Sequence, residues 1–160
     1  MIGLVEVIDD LPSGVEVMQA EARAEGYRHL ERLAADWAAR AMRFDSAGEA
    51  LLAAYVNSSL VGIGGLTHEP AVAGAFRMRR FYVRPLFRRQ GVGSELALIL
   101  IEQAFRTGRF VTVNAGNVDA PTFWEKLGFA PSPRDGYTHA LSQSAFMGRP
   151  ASRTTAPEVE

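Results

Sequence analysis

The chain has no cysteine among its 160 residues. Disulfides, thiolate metal sites and cysteine nucleophiles are excluded together, and the redox compartment is left undetermined. Net charge is nearly absent: the formal value is -1 at pH 7, which argues against a nucleic-acid partner held by bulk charge. No apolar run is long enough to span a membrane. The N-terminus, Met1-Ile2-Gly3-Leu4-Val5-Glu6-Val7, lacks the basic start and small-residue cleavage site of a signal peptide. The expectation is a cytoplasmic protein with neither a nucleic-acid nor a membrane partner. Its 48% apolar and 22% charged residues suit one soluble globular domain with one sizeable core.

The hydrophobic pattern sets the order of elements. Ile2 to Ile8 reads as a strand. Ser13-Gly14-Val15-Glu16 has the form of a capping box and predicts a helix start. After Gly26, Leu30, Leu33, Ala34, Trp37 and Ala41 recur at helical spacing. Ala50 to Val56 and Leu60 to His68 read as a hairpin around Asn57-Ser58-Ser59. Ala75 to Arg84 is a strand ended by Pro85, Glu95 to Thr107 a helix with Leu96, Ile99 and Leu100 on a broad apolar face, and Phe110 to Val113 a strand. Asp119 and Pro121 predict a short helix, and Phe129 to Leu141 a final pair of strands. A single α/β domain over residues 1–141 follows, with a mixed sheet of about seven strands and about four helices. The Ser-, Thr-, Pro- and Glu-rich residues 142–160 are expected to form a loosely ordered tail.

What is present in unusual density is arginine. Arg77, Arg79, Arg80, Arg84, Arg88 and Arg89 crowd one stretch and suggest a local anion site. Within it, Arg88-Arg89-Gln90-Gly91-Val92-Gly93-Ser94 joins a strand to a helix. Glycines let the backbone turn tightly and approach a ligand closely. The first helical turn leaves N–H groups without partners, and the helix dipole adds positive potential there. This is a phosphate seat. Without a Lys-Ser/Thr ending it does not match a nucleotide P-loop. Without the Gly-x-Gly-x-x-Gly spacing after the first strand it does not match a dinucleotide site.

Three segments in order then resemble one family. Arg88-Arg89-Gln90-Gly91-Val92-Gly93 resembles the Gln/Arg-x-x-Gly-x-Gly/Ala signature of the Gcn5-related N-acetyltransferases. Arg80-Phe81-Tyr82-Val83-Arg84-Pro85 resembles the strand leading into it. Asn117, with Pro121-Thr122-Phe123-Trp124-Glu125-Lys126-Leu127-Gly128-Phe129, resembles the family's later helix segment. The resemblance implies a splayed central sheet and transfer of an acetyl group from acetyl-coenzyme A to an amine, with acetyl-CoA as cosubstrate and no metal. It implies that the backbone of Phe81, Tyr82 and Val83 holds the pantetheine arm, and that Arg88, Arg89, Gln90, Gly91, Val92, Gly93 and Ser94 seat the pyrophosphate. Asn117 and Phe123 would flank the arm. A homodimer is the common assembly in such a family.

Two positions depart from that family. Where many members carry a glutamate base, this chain has Arg77, which cannot accept a proton. Where many carry a tyrosine acid, it has Trp124. The substitute proton-handling candidates are His139, His68 and Glu69. Arg77 and Arg79, which share a strand face, and Tyr137 are candidates for holding the acceptor. If the two arginines line the acceptor cavity, the small-molecule amine would carry a carboxylate or phosphate; a solvated strand face or a pair of surface ion pairs is the plainer reading. The alternatives left open are a degenerate module that binds acyl-CoA without catalysis, and an enzyme acting on a protein amine or a charged tRNA.

Overall fold

β-branched and aromatic runs bounded by turn residues become the strands of one sheet. The computed structural model describes residues 1–116, 120–134 and 136–148. Seven strands, β1 (Ile2–Glu6), β2 (Ala50–Val56), β3 (Ser59–His68), β4 (Ala75–Val83), β5 (Phe110–Val113), β6 (Ala130–Arg134) and β7 (Tyr137–Ser142), lie in the order β1-β2-β3-β4-β5-β7-β6. Only β4 and β5 run parallel. The crossover that joins them carries α3 (Val92–Ala104), as a parallel pair requires.

The sheet is buried on both faces. Helices α1 (Val15–Ala24) and α2 (His29–Ala38) cover one face, where Met18, Leu30, Leu33 and Trp37 pack on Leu51, Ile63 and Tyr82. Helix α3 and the short α4 (Ala120–Lys126) cover the other, against Phe76, Met78, Val111, Val113 and Leu141. Side chains alternate along a strand, so Met78 faces α3 while Arg77 and Arg79 face away from it.

Three details differ from the sequence reading. Helix α1 is capped by Gly14 at φ 97°, with no side-chain cap. The left-handed glycine moves the start one residue past Ser13, and the Gly14 carbonyl receives the first helical bonds, from Val17 and Met18. Ile99, expected on the apolar face of α3, is exposed. Residues 143–147, expected in the tail, form helix α5, with Ser142 accepting from the Ala145 N–H at 3.1 Å. Phe146 of α5 docks on Phe105, their ring centroids 5.7 Å apart. No helix among the described residues is long and apolar enough to cross a membrane.

Candidate functional site

The site begins with a register fault. Gly62 pairs with Val83 and Ile63 with Tyr82, but Gly65 pairs with Arg79. One extra residue therefore sits in β4, at Arg80, whose φ is 61°. Such a bulge bends its strand and increases the local twist. Beyond it the sheet parts. β4 pairs with β5 only over Ala75–Met78, so among the described residues no strand pairs with Arg79 to Val83 on that side. The Arg84 N–H bonds Val61 on β3. By alternation, Val83 turns its backbone groups to the open edge.

At the mouth of this gap lies the glycine turn. Gly91 caps α3 at φ 86°, a conformation that costs a glycine little. Arg89 is also left-handed, at φ 64°. Among the described residues, no backbone carbonyl accepts from the N–H groups of Arg89, Gln90, Gly91, Val92 or Gly93. A Cβ on Gly93 would meet the Phe123 ring at 3.3 Å and Val83 at 3.6 Å. The bare glycine thus lets the first turn of α3 come close to both β4 and α4.

The floor of the gap is aromatic. Trp124 lies 5.0 Å from Phe81, 4.8 Å from Phe123 and 5.3 Å from Phe129 between ring centroids, each edge to face. At 5% exposed it is core, which explains why a tyrosine is not needed there for packing. Phe81, Val83, Gly93 and Phe123, read from sequence as cofactor residues, thus converge. Asn117 lies outside the described residues.

The arginine cluster resolves into bracing. Four of its six members are paired to carboxylates: Arg77 to Glu69 at 2.8 Å, Arg80 to Asp36 at 3.3 Å, Arg84 to Glu21 at 3.0 Å and Arg88 to Glu25 at 2.8 Å. Arg88 holds both Glu25 oxygens, and its Nε donates to the Val83 carbonyl. Its side chain ties α1 to the turn, leaving the backbone amides to face an anion. The Arg88 hydrogen bond is the main reason the Glu25 carboxyl sits below its usual range; burial opposes it, and the Tyr82 hydroxyl assists. Burial and the Glu25 carboxylate push the Tyr82 phenol far up, so it is a poor proton donor.

The expected acceptor and proton-handling residues fall into different places. Arg77 bonds Glu69 and donates to the Gly136 carbonyl at 2.6 Å, joining β4 to the β6–β7 turn. The Glu69 side chain is 0% exposed and also accepts from Thr112 and the Ala71 N–H. Burial pushes its carboxyl up, but the Thr112 and Ala71 hydrogen bonds and the Arg77 charge outweigh that and hold it below the usual range. Glu69 is a fixed anion, not a base, and Arg77 is its counterion rather than a free acceptor clamp. His68 stacks on Phe76 at 4.7 Å and bonds the Ala47 carbonyl at 2.7 Å. Five residues along β4 separate Phe76 from Phe81, about 16 Å of strand. His139, expected beside the acceptor, turns its ring toward α4. Nε2 meets Glu125 at 2.8 Å and Nδ1 meets Thr138 at 2.7 Å. Both ring nitrogens are engaged, so it braces β7 against α4. Tyr137 is buried at 4% exposed.

Arg79 stands apart. Its Nε donates to Thr67 at 3.0 Å, and among the described residues no carboxylate pairs with it. Burial, with the charges of Arg77 and Arg80, pushes its pKa down, while Glu69 and Asp36 offset this in part. It remains a cation short of negative charge. It lines a cleft of about 360 Å³ together with Arg40, Arg43, Glu49, Thr67 and the expected candidate His68.

One residue escaped the sequence reading. His29, at the first position of α2, reaches the bulged strand. Its Nε2 lies 2.8 Å from the Phe81 carbonyl, and its ring centroid is 6.0 Å from those of Tyr27 and Tyr82. Burial pushes its pKa below the ordinary value; the Phe81 bond opposes that, and the charges of Arg80 and Arg32 add to it. The partners are 52 residues apart, so no local pattern could have announced the contact.

A sheet parted beside a bulged strand, with an amide-lined turn at the mouth of the gap, defines the class as the acetyltransferase fold. The sequence narrows this further: the profile of the Acetyltransferase (GNAT) family matches residues 15–129, well over half of the chain. The chain belongs to that family. A solved structure from Exiguobacterium sp. 255-15, named as an acetyltransferase, superposes with TM-score 0.84 at 25% identity, covering 93% of this chain and 99% of that one. PaiA N-acetyltransferase from Thermoplasma acidophilum, solved with coenzyme A, gives 0.62 at 17% identity over 89% and 99%. A GNAT acetyltransferase from Elizabethkingia anophelis, with acetyl-CoA bound, gives 0.62 at 14% identity over 88% and 97%. The latter two show likeness of fold alone. No curated protein matches the chain.

Proposed function

We propose that the protein transfers an acetyl group directly from acetyl-CoA to the amine of a small molecule. The observation that carries this reading is the open edge of β4 running into the unbonded amides of Arg89 to Gly93. A pantetheine arm can add to that edge as a strand would. The pyrophosphate would then meet the first turn of α3, where N–H groups and the helix dipole favour an anion. The coenzyme A and acetyl-CoA complexes of two fold relatives support the same donor.

On this reading the residues position more than they react. Phe81, Phe123 and Trp124 floor the gap and keep water from the thioester. The N–H groups along the open edge of β4 supply hydrogen bonds to the developing oxyanion. The acceptor enters from the α1–α2 face. The cleft at Arg79 has the size of a small-molecule site, and Arg79 beside it has no carboxylate partner among the described residues. These favour an acceptor with a carboxylate or phosphate. A small molecule, rather than a protein amine, and a cytoplasmic location are parts of the proposal.

A second reading, a module that binds acetyl-CoA without catalysis, draws on Trp124, which fills the tyrosine position with a core side chain. Release of free thiol from acetyl-CoA separates the two. The test panel is primary amines with and without an acidic group, such as amino acids, phosphoethanolamine and plain alkylamines. Amine-dependent thiol release is expected. Tight acetyl-CoA binding with no release on any amine would favour the binding module. Arg79→Gln is expected to raise KM for the acidic amines about 10-fold or more, the loss of a charged hydrogen bond. CoA affinity and turnover of plain alkylamines should hold. Equal losses for both amine classes would remove Arg79 from acceptor recognition.

A further inference from the structure

We propose that His29 takes the proton from the attacking amine. The inference rests on the acetyltransferase reading above, and it fills the role that Arg77, Glu69, His68 and His139 do not.

Three observations carry it. First, position: Nε2 of His29 touches the Phe81 carbonyl, one residue past the Arg80 bulge, where β4 leaves β5. A pantetheine arm on the open edge of β4 would bring its thioester end to this point. The ring approaches from α2, the face from which the acceptor enters. Second, valence: when Nε2–H donates to the carbonyl, the tautomer is fixed and Nδ1 carries the lone pair. Among the described residues no group bonds Nδ1. Nor is it one of the two side-chain atoms buried without a partner, which are Arg43 Nε and Arg80 Nε. It is therefore not sealed inside the core. Third, charge: the groups around the ring are Tyr27, Arg32 on α2 itself, and Arg80 and Tyr82 of β4. No carboxylate is among them; Glu25, which accepts from the Tyr82 hydroxyl, is held by Arg88, and Asp36 is held by Arg80. The surroundings keep the imidazole neutral, the form a base requires.

The step balances. The neutral amine attacks the thioester carbonyl carbon with its lone pair, and a C–N bond forms. The amine proton passes to Nδ1. The C–S bond breaks, and the thiolate leaves with its electron pair. The proton on Nδ1 then goes to the thiolate, which gives free coenzyme A thiol and restores the ring.

His29→Gln and His29→Ala separate catalysis from bracing, because a glutamine amide can still donate to Phe81 while it cannot accept a proton. The assay uses acetyl-CoA and the best amine of the panel. Both variants are expected to lose about 10²–10⁴-fold in kcat/KM, the usual worth of a general base. With kcat/KM expressed on the neutral fraction of the amine, the acidic limb of the wild-type pH profile should vanish, and CoA affinity should be unchanged. A glutamine variant with wild-type rates, or an acidic limb that persists in both variants, would overturn the proposal. A second readout needs no turnover. Long-range 1H–15N spectra of histidine-labelled protein should show the His29 ring neutral at pH 7, with its proton on Nε2. A ring charged at pH 7, or with its proton on Nδ1, contradicts it. Calorimetry of the wild type with CoA keeps the two readings apart, since failure to bind CoA sinks the acetyltransferase reading and leaves the tautomer measurement standing.

Discussion

Arg77→Ala is expected to destabilise the protein by about 3–5 kcal/mol, read as a shift of the urea unfolding midpoint. The Glu69 carboxylate is fully buried and has Arg77 as its counterion. Removing the guanidinium leaves the charge with only the Thr112 and Ala71 bonds, and it unhooks β4 from the β6–β7 turn at Gly136. The pH dependence follows from the same pair. Glu69 is held below its ordinary pKa in the folded state. Its stabilisation is therefore complete above the unfolded value of about 4.5 and is lost as pH falls through the folded value, where the folded state also takes up the proton. Without Arg77 the folded pKa rises, and the acid-unfolding midpoint should move to higher pH. A variant as stable as the wild type would show that the pair contributes nothing beyond its own desolvation cost.

Gly93→Asp is expected to weaken CoA binding at least about 100-fold, near 3 kcal/mol, while the helix content stays as it was. An aspartate in the first turn suits the helix dipole, so α3 should persist after a small shift of the Phe123 ring. The new carboxylate would lie against Phe123 and Val83, beside the Arg89 to Gly93 amides, and would repel a phosphate seated on them. Pantetheine without phosphates should lose less affinity than CoA does. Equal CoA affinities in the two proteins would place the phosphates elsewhere.

These two residues mark what the sequence made legible and what it did not. The strands, the α3 crossover and the turn over Arg88–Ser94 are local patterns, set by alternation, helical spacing and glycine. They are close to where the reading expected them, although α3 begins at Val92, inside the expected turn, rather than at Glu95. The cluster of arginines was also visible, but its meaning was not. Arg84 and Arg88 meet Glu21 and Glu25 across 63 residues, and an ion pair at that separation leaves no periodic trace. The cluster is therefore mostly internal bracing, with Arg79 left to face a cleft. His29 was missed for the same reason. His139 sits on its strand as expected, but its ring direction depends on Glu125 of α4. Trp124 was legible as a lost tyrosine, while its place between Phe81, Phe123 and Phe129 required the fold.

The central claim is that acetyl-CoA lies along the open edge of β4 with its pyrophosphate on the first turn of α3. Backbone 1H–15N spectra recorded as CoA is added test it most directly. The amides of Phe81, Val83 and Arg89 to Gly93 are expected to shift together, saturating with one affinity, while those of β1 and β6 stay still. Saturable binding that leaves Arg89 to Gly93 unmoved, or no binding at millimolar CoA, would contradict it.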